Sequence, residues 1–180
     1  MKAISVNIGK KTLIQMKHKV VETGIFKKPV EDIFVDTEGV EGDTISDLKV
    51  HGGPEQAVYG YSLKHYDYWK EKYAIVKYDY GFFGENITFS DLEEKCIHIG
   101  SQYQCGEVIL EVTKPRQPCF KLGLVFETNQ IILDFWSTTK SGVYFKVIQS
   151  GIIKQGATFS LIHEAKENPT IAEVFISKRK

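Results

Sequence analysis

The sequence predicts a mainly β chain, a barrel or sandwich of short strands with a few peripheral helices and a short C-terminal helix. Three observations carry this expectation. Short runs rich in β-branched and aromatic residues recur along the chain, glycine-containing turns separate them, and apolar repeats of helical spacing are few.

At the N-terminus, residues 3–8 alternate in the β manner, with Ile4, Val6 and Ile8 on one face. Residues 12–16, 20–26 and 31–35 are further strand candidates. Gly52-Gly53-Pro54 marks a turn, and 56–61 follows as a buried strand. Ser62 suits the N-cap of a helix reaching about Tyr73, because Leu63, Tyr66 and Trp69 or Lys70 recur at helical spacing. Residues 108–112 alternate after the turn Cys105-Gly106. Thr128 or Asn129 caps a second helix carrying Ile131, Ile132, Phe135 and Trp136. Residues 142–148 and 157–162 are β-branched or aromatic and read as strands. Pro169 suits the start of a third helix, capped by Thr170 and running over 172–177. No stretch rich in Gly, Pro or Ser marks a linker, so the expectation is one β domain over 1–164 and a helical remnant over 165–180.

Composition narrows the function classes. The chain has 180 residues, enough for one domain, and Lys plus Arg (23) equals Asp plus Glu (23). That balance lacks the basic excess of a nucleic-acid binder, and Lys178-Arg179-Lys180 reads as a solvated tail. No run approaches the roughly 20 apolar residues of a membrane span. Lys10-Lys11 interrupts the N-terminal segment too early for a secretory leader. Cys96, Cys105 and Cys119 are odd in number, and their spacing matches neither a disulfide framework nor a zinc site. A reducing, cytoplasmic setting is the expectation.

Three segments carry the candidate chemistry. In Lys114-Pro115-Arg116-Gln117-Pro118-Cys119-Phe120-Lys121-Leu122, the two prolines should end a strand in a stiff loop. That loop sets Cys119 among Lys114, Arg116 and Lys121, and nearby cations favour the thiolate, the nucleophilic and metal-binding form. The planar fork of Arg116 suits phosphate or carboxylate. The other reading of Cys119 is an inert buried thiol. In Lys49-Val50-His51-Gly52-Gly53-Pro54, paired glycines permit positive φ and close approach of a ligand, and their amides suit an anion. His51 is a donor or proton shuttle there, or only an exposed residue of a tight turn. In Gly84-Glu85-Asn86, Asn86 offers a donor and an acceptor to a heterocycle and Glu85 is a candidate base, unless both are ordinary turn residues. P-loop and dinucleotide fingerprints are absent from the sequence, and its histidines are scattered without metal-ligand spacing. A protease-like pairing of Cys119 with His51 has no local support.

Taken together these segments resemble the MOSC family, named for the C-terminal domain of molybdenum cofactor sulfurases, and in particular its stand-alone bacterial YiiM-like members. The resemblance also rests on Gly39-Val40-Glu41-Gly42-Asp43, Tyr66-Asp67-Tyr68-Trp69 and Gly142-Val143-Tyr144-Phe145-Lys146-Val147, and runs from about residue 3 to about 163. It implies a MOSC-type β-barrel and a molybdenum cofactor built on a pterin. Cys119 is then the metal ligand or sulfur carrier, and Lys49, His51, Gly52, Gly53, Asn86, Arg116 and Lys121 line the cofactor site. The implied activity is reduction of N-hydroxylated compounds with electrons from a separate flavin or iron–sulfur reductase. The alternative is a sulfur or cofactor carrier that uses a Cys119 persulfide or thiolate without turnover. Pyridoxal phosphate, nucleic acid and membrane are not expected as partners. Basic residues around Cys119 are expected to steer an acidic electron carrier. YiiM-like relatives often carry a three-helix appendage, of which residues 168–180 would supply only the opening helix.

Overall fold

The computed structural model describes residues 1–16, 19–44, 52–74 and 79–179. Its strands are β1 (Ala3–Gly9), β2 (Thr12–Met16), β3 (Lys19–Thr23), β4 (Lys27–Val30), β5 (Asp32–Asp36), β6 (Gly39–Val40), β7 (Val58–Ser62), β8 (Ile87–Phe89), β9 (Gln102–Cys105), β10 (Val108–Pro115), β11 (Val143–Gln149), β12 (Gly151–Lys154) and β13 (Ser160–His163). The helices are α1 (Leu63–Tyr73), α2 (Phe120–Phe126), α3 (Gln130–Ser137) and α4 (Ile171–Ser177), with a 3-10 turn at Pro54–Gln56. Eight strands form one curled sheet in the order β13-β9-β10-β11-β7-β8-β1-β4. A three-stranded sheet β12-β5-β6 packs against it, and β2-β3 stands apart as a hairpin. The mainly β architecture with peripheral helices is as the sequence predicts.

Two apolar clusters hold the fold. Val6, Ile33, Val35, Phe89, Leu110 and Phe145 belong to the first, between the curled sheet and the small sheet. The second is aromatic: Tyr61, Trp69, Phe83, Phe135 and Phe175 pack where α1, α3 and α4 cover the outside of β7. Burying each such ring contributes about 1.5–3 kcal/mol, so these helices are held by packing. Gly60 in β7 lies between the two clusters, and a Cβ there would sit 2.6 Å from the Phe89 ring. Glycine is required for steric room at that point.

Several local details differ from the sequence reading. Strand β1 buries Ser5, Val6 and Asn7 while Ile4 and Ile8 are half-buried, because sheet and loops cover both of its faces. Ser5 donates to Asn7 Oδ1 at 2.7 Å, and Asn7 donates to the Glu85 carbonyl and to Thr88 Oγ1. A buried polar face paid for by hydrogen bonds is invisible to a hydrophobic pattern. The strand expected over 20–26 stops at Thr23, and Gly24 turns the chain into β4. Ser62 stands at the N-cap of α1, but its hydroxyl makes no capping bond. Thr170 caps α4 as expected and does so in a full capping box with Glu173. Strand β10 runs through Pro115, and helix α2 begins at Phe120, where a stiff loop was expected to continue.

Candidate functional site

One cavity, of about 660 Å³ with its open mouth included, gathers most of the candidate residues that can be placed. Gly52, Asn86, Arg116, Cys119 and Lys121 all line it. Gly53 does not; it precedes the 3-10 turn with φ 78°, and its carbonyl accepts the Gln56 amide at 2.8 Å. Lys49 and His51 lie outside the described residues. Lys114 sits within β10, is half-buried and does not line the cavity.

Cys119 is placed by the end of β10 and the start of α2. Pro115 still pairs with Val143, after which the chain leaves the sheet, and the Cys119 carbonyl accepts the Leu122 amide at 2.9 Å. The thiol is half-buried at the N-cap position, in extended backbone conformation. No disulfide joins the three cysteines. Cys105 is buried within β9, which pushes its thiol above the ordinary range, and Cys96 is exposed.

Arg116 is buried at the cavity wall. Its Nη1 donates to the Phe83 carbonyl, and its guanidinium carbon lies 4.9 Å from the centre of the Tyr59 ring. Lys121 is also buried. Both charges therefore line the cavity instead of spreading over the outer surface.

Sequence reasoning missed a second wall of the cavity. Lys27 and Asp43 form a buried ion pair there. The Asp43 carboxylate also accepts the Gly9 amide at 2.7 Å and the Asn86 side-chain amide at 2.9 Å. Burial lowers the Lys27 pKa, and Asp43 opposes that shift. The signal was partly present, since Asp43 ends the Gly39–Asp43 run, but nothing in the sequence around Lys27 marks it as buried. Gly24 lines the cavity beside them, and a Cβ on it would meet the Thr44 carbonyl oxygen at 1.9 Å. Tyr59 and Tyr144 complete the floor, and burial holds both phenols above their ordinary pKa.

Asn86 stands in the cavity wall, and Glu85 is buried beside it. The Asn86 side chain accepts the Tyr59 amide at 3.2 Å and donates to Asp43, so its amide braces the cavity wall. The parallel pairing of β7 with β8 sets this position, because Gly60 lies opposite Ile87. Glu85 is fully buried and is no exposed base. It accepts from Tyr66 Oη, from the Gly81 and Phe83 amides at 3.0 and 3.1 Å, and from Thr88 Oγ1 at 2.7 Å. Burial raises its pKa, and the hydrogen bonds from Tyr66 and Thr88 oppose the rise. Glu85 thus pins the turn that offers the Phe83 carbonyl to Arg116.

The family model described as the MOSC domain matches residues 47–160. The chain belongs to the MOSC domain family. Within that family it is 34% identical over 169 residues to the uncharacterized protein YflK of Bacillus subtilis, covering 93% of this chain and 76% of that protein. It is 33% identical to a protein named reductase from Gibberella moniliformis, covering 79% of this chain but only 26% of the fungal protein. The crystal structure of YiiM from Geobacillus stearothermophilus superposes with a TM-score of 0.79 at 31% identity, covering 96% of this chain and 80% of that one. The curled sheet and its helices are thus the fold of this MOSC relative. Among the described residues no helix is long and apolar enough to cross a membrane.

Proposed function

We propose that the cavity binds a pterin-based molybdenum cofactor with Cys119 as its thiolate ligand, and that the protein reduces N-hydroxylated compounds. Electrons come from a separate flavin or iron–sulfur reductase. One observation carries this reading. Cys119 shares a single cavity with Arg116 and Lys121 of its own segment and with Lys27, brought there from β4, whereas Asp43 is the one carboxylate among the described lining residues. The likeness to a reductase across the MOSC region supports a redox role.

The donor set fits such a group. Arg116 is buried, and its described hydrogen bond and ring contact are to a carbonyl and to Tyr59. A buried guanidinium against neutral groups is costly, and an anionic guest such as the cofactor's phosphate offsets that cost. A thiolate suits a soft, sulfur-bearing metal centre. When bound, the cofactor supplies two-electron chemistry. In this reading Cys119 fixes the metal end, Arg116, Lys27 and Lys121 hold anionic groups, and Gly52 admits close approach with its φ of 84°. Tyr59 and Tyr144 stay neutral and limit water at the floor; the Tyr59 hydroxyl already donates to the Ser141 carbonyl at 2.9 Å. Asp43 and Asn86 keep Lys27 and the wall in place.

The test uses protein made in a host that synthesises molybdopterin. Molybdenum and pterin are expected in the wild type, with benzamidoxime reduction once a reductase partner is added. Cys119→Ser is expected to lose both metal and turnover. Wild-type metal content in that variant would sink the ligand assignment. Retained cofactor with no turnover, and a cyanide-releasable sulfur on Cys119, would mark a carrier instead.

A further inference from the structure

The aromatic cluster holds an ordered series of oxidisable rings leading from the cavity to the surface. Tyr59 lines the cavity, and its ring lies 6.2 Å from Tyr61. Tyr61 Oη accepts the indole N–H of Trp69 at 2.7 Å. Trp69 lies 6.1 Å from Tyr73, whose ring is half-buried and whose hydroxyl donates to Asp134 Oδ2 at 2.7 Å. Filling a core does not require these polar atoms, because phenylalanine packs equally well, as Phe83 and Phe135 do in the same cluster. Electron exchange between rings falls steeply with distance and is efficient at such separations. Charge sets a direction. The Arg116 guanidinium over Tyr59 disfavours a positive hole at the cavity end, whereas at Tyr73 the Asp134 carboxylate accepts the phenol hydrogen and can take its proton, with Lys72 paired to the same oxygen at 3.1 Å. Tyr68 is a second phenol ring beside Trp69, at 4.9 Å, but the Lys140 ammonium lies 5.0 Å from its ring centre and opposes its oxidation.

We propose that Tyr59, Tyr61, Trp69 and Tyr73 form an escape route that carries one-electron oxidising equivalents from the cavity to the surface and so protects Cys119 from oxidative damage. The balance is explicit. An oxidant of the peroxyl-radical class in the cavity gains an electron and takes a proton from solvent to become a hydroperoxide, Trp69 loses that electron by way of Tyr61 and Tyr59, and Tyr73 restores Trp69 while passing its proton to Asp134. An ascorbate-class reductant in solution then gives an electron to the Tyr73 radical, the proton returns from Asp134, and the reductant releases its own proton. The route is independent of which group occupies the cavity, so it stands apart from the cofactor assignment.

The experiment attaches a thiol-reactive ruthenium photosensitiser to Cys119 in a Cys96→Ser background and follows radicals by transient absorption after flash-quench oxidation. A tryptophan radical followed by a tyrosyl radical is expected, with added ascorbate shortening the life of the latter. Tyr73→Phe, which loses only a hydroxyl, should abolish the tyrosyl signal and prolong the tryptophan radical. Asp134→Asn should slow tyrosyl formation. Trp69→Phe should abolish both signals, and circular dichroism reports whether it folds; Tyr73→Phe decides the matter if it does not. Absence of both radicals in the parent protein overturns the route. A tyrosyl signal that survives Tyr73→Phe moves the hole elsewhere, to Tyr66 beside Glu85 for instance, and overturns Tyr73 as the exit.

Discussion

At the scale of single residues, the cavity sets a sulfur and several cations in a shared site, and each has a separate consequence. Cys119→Ser is nearly isosteric at a half-buried position, so it should leave the thermal midpoint close to wild type and, on the proposed ligand role, should lose molybdenum. Cys96→Ser, at an exposed position, should change neither; elemental analysis beside thermal melts checks both. Asp43→Asn is a different case. It leaves Lys27 buried beside a neutral amide, and breaking a buried pair in this way costs about 3–5 kcal/mol. Urea denaturation should show that loss, and the double variant Lys27→Met with Asp43→Asn should recover part of it. A stability change under about 1 kcal/mol for Asp43→Asn would mean that water reaches the pair.

At the scale of elements, the helices are held in two ways. Helix α4 has the capping box of Thr170 and Glu173, and it seats Ile171 and Phe175 in the core. Thr170→Ala should cost about 1 kcal/mol, and Phe175→Ala about 3–5 kcal/mol, both read from denaturant midpoints. Equal effects would show that the cap, not the packing, holds the helix. Helix α1 has no side-chain capping bond and relies on Tyr66 and Trp69. Position 62 was legible from the sequence as an N-cap, yet the hydroxyl is not used, because Ser62 also ends a buried strand. Helix α2 was not legible. The two prolines before Cys119 signal a stop, and Leu122, its fully buried apolar anchor, packs against residues far away in sequence.

At the scale of the whole molecule, the buried Glu85 network makes stability depend on pH in an unusual direction. Burial raises the Glu85 pKa above its ordinary 4.5, so the folded state binds its proton more tightly than the unfolded state does. The stabilisation that this proton gives is therefore complete below about pH 4.5 and is lost as pH rises through the folded-state pKa. Relative to Glu85→Gln, the wild type should lose stability as pH is raised from that point. Urea midpoints of the two proteins across the acidic and neutral range measure the difference. A gap that moves the other way would show hydrogen bonding outweighing burial. On the proposed reductase function, the lack of a flavin or nicotinamide fingerprint in the sequence means that benzamidoxime turnover should be absent with NADH alone and should appear when a reductase is added.

The sequence by itself determined the mainly β class, most of the strands, three of the helices, and the segment around Cys119. Each of these is written locally, in the alternation of residues 108–112, the glycines before Pro54, or the Thr170 cap, because strand and helix periods and turn chemistry are short-range properties. The shared cavity was decided only by tertiary structure. Gly52, Asn86 and Cys119 meet there because β7 pairs in parallel with β8 and in antiparallel fashion with β11, which pairs in turn with β10. Tertiary structure also decided that Lys27 is buried against Asp43, that Asn86 spends its amide on the wall, and that Glu85 is a brace. The physical reason is the same in each case. Burial of a polar side chain is set by partners distant in sequence that satisfy its hydrogen bonds, and a one-dimensional pattern does not contain those partners.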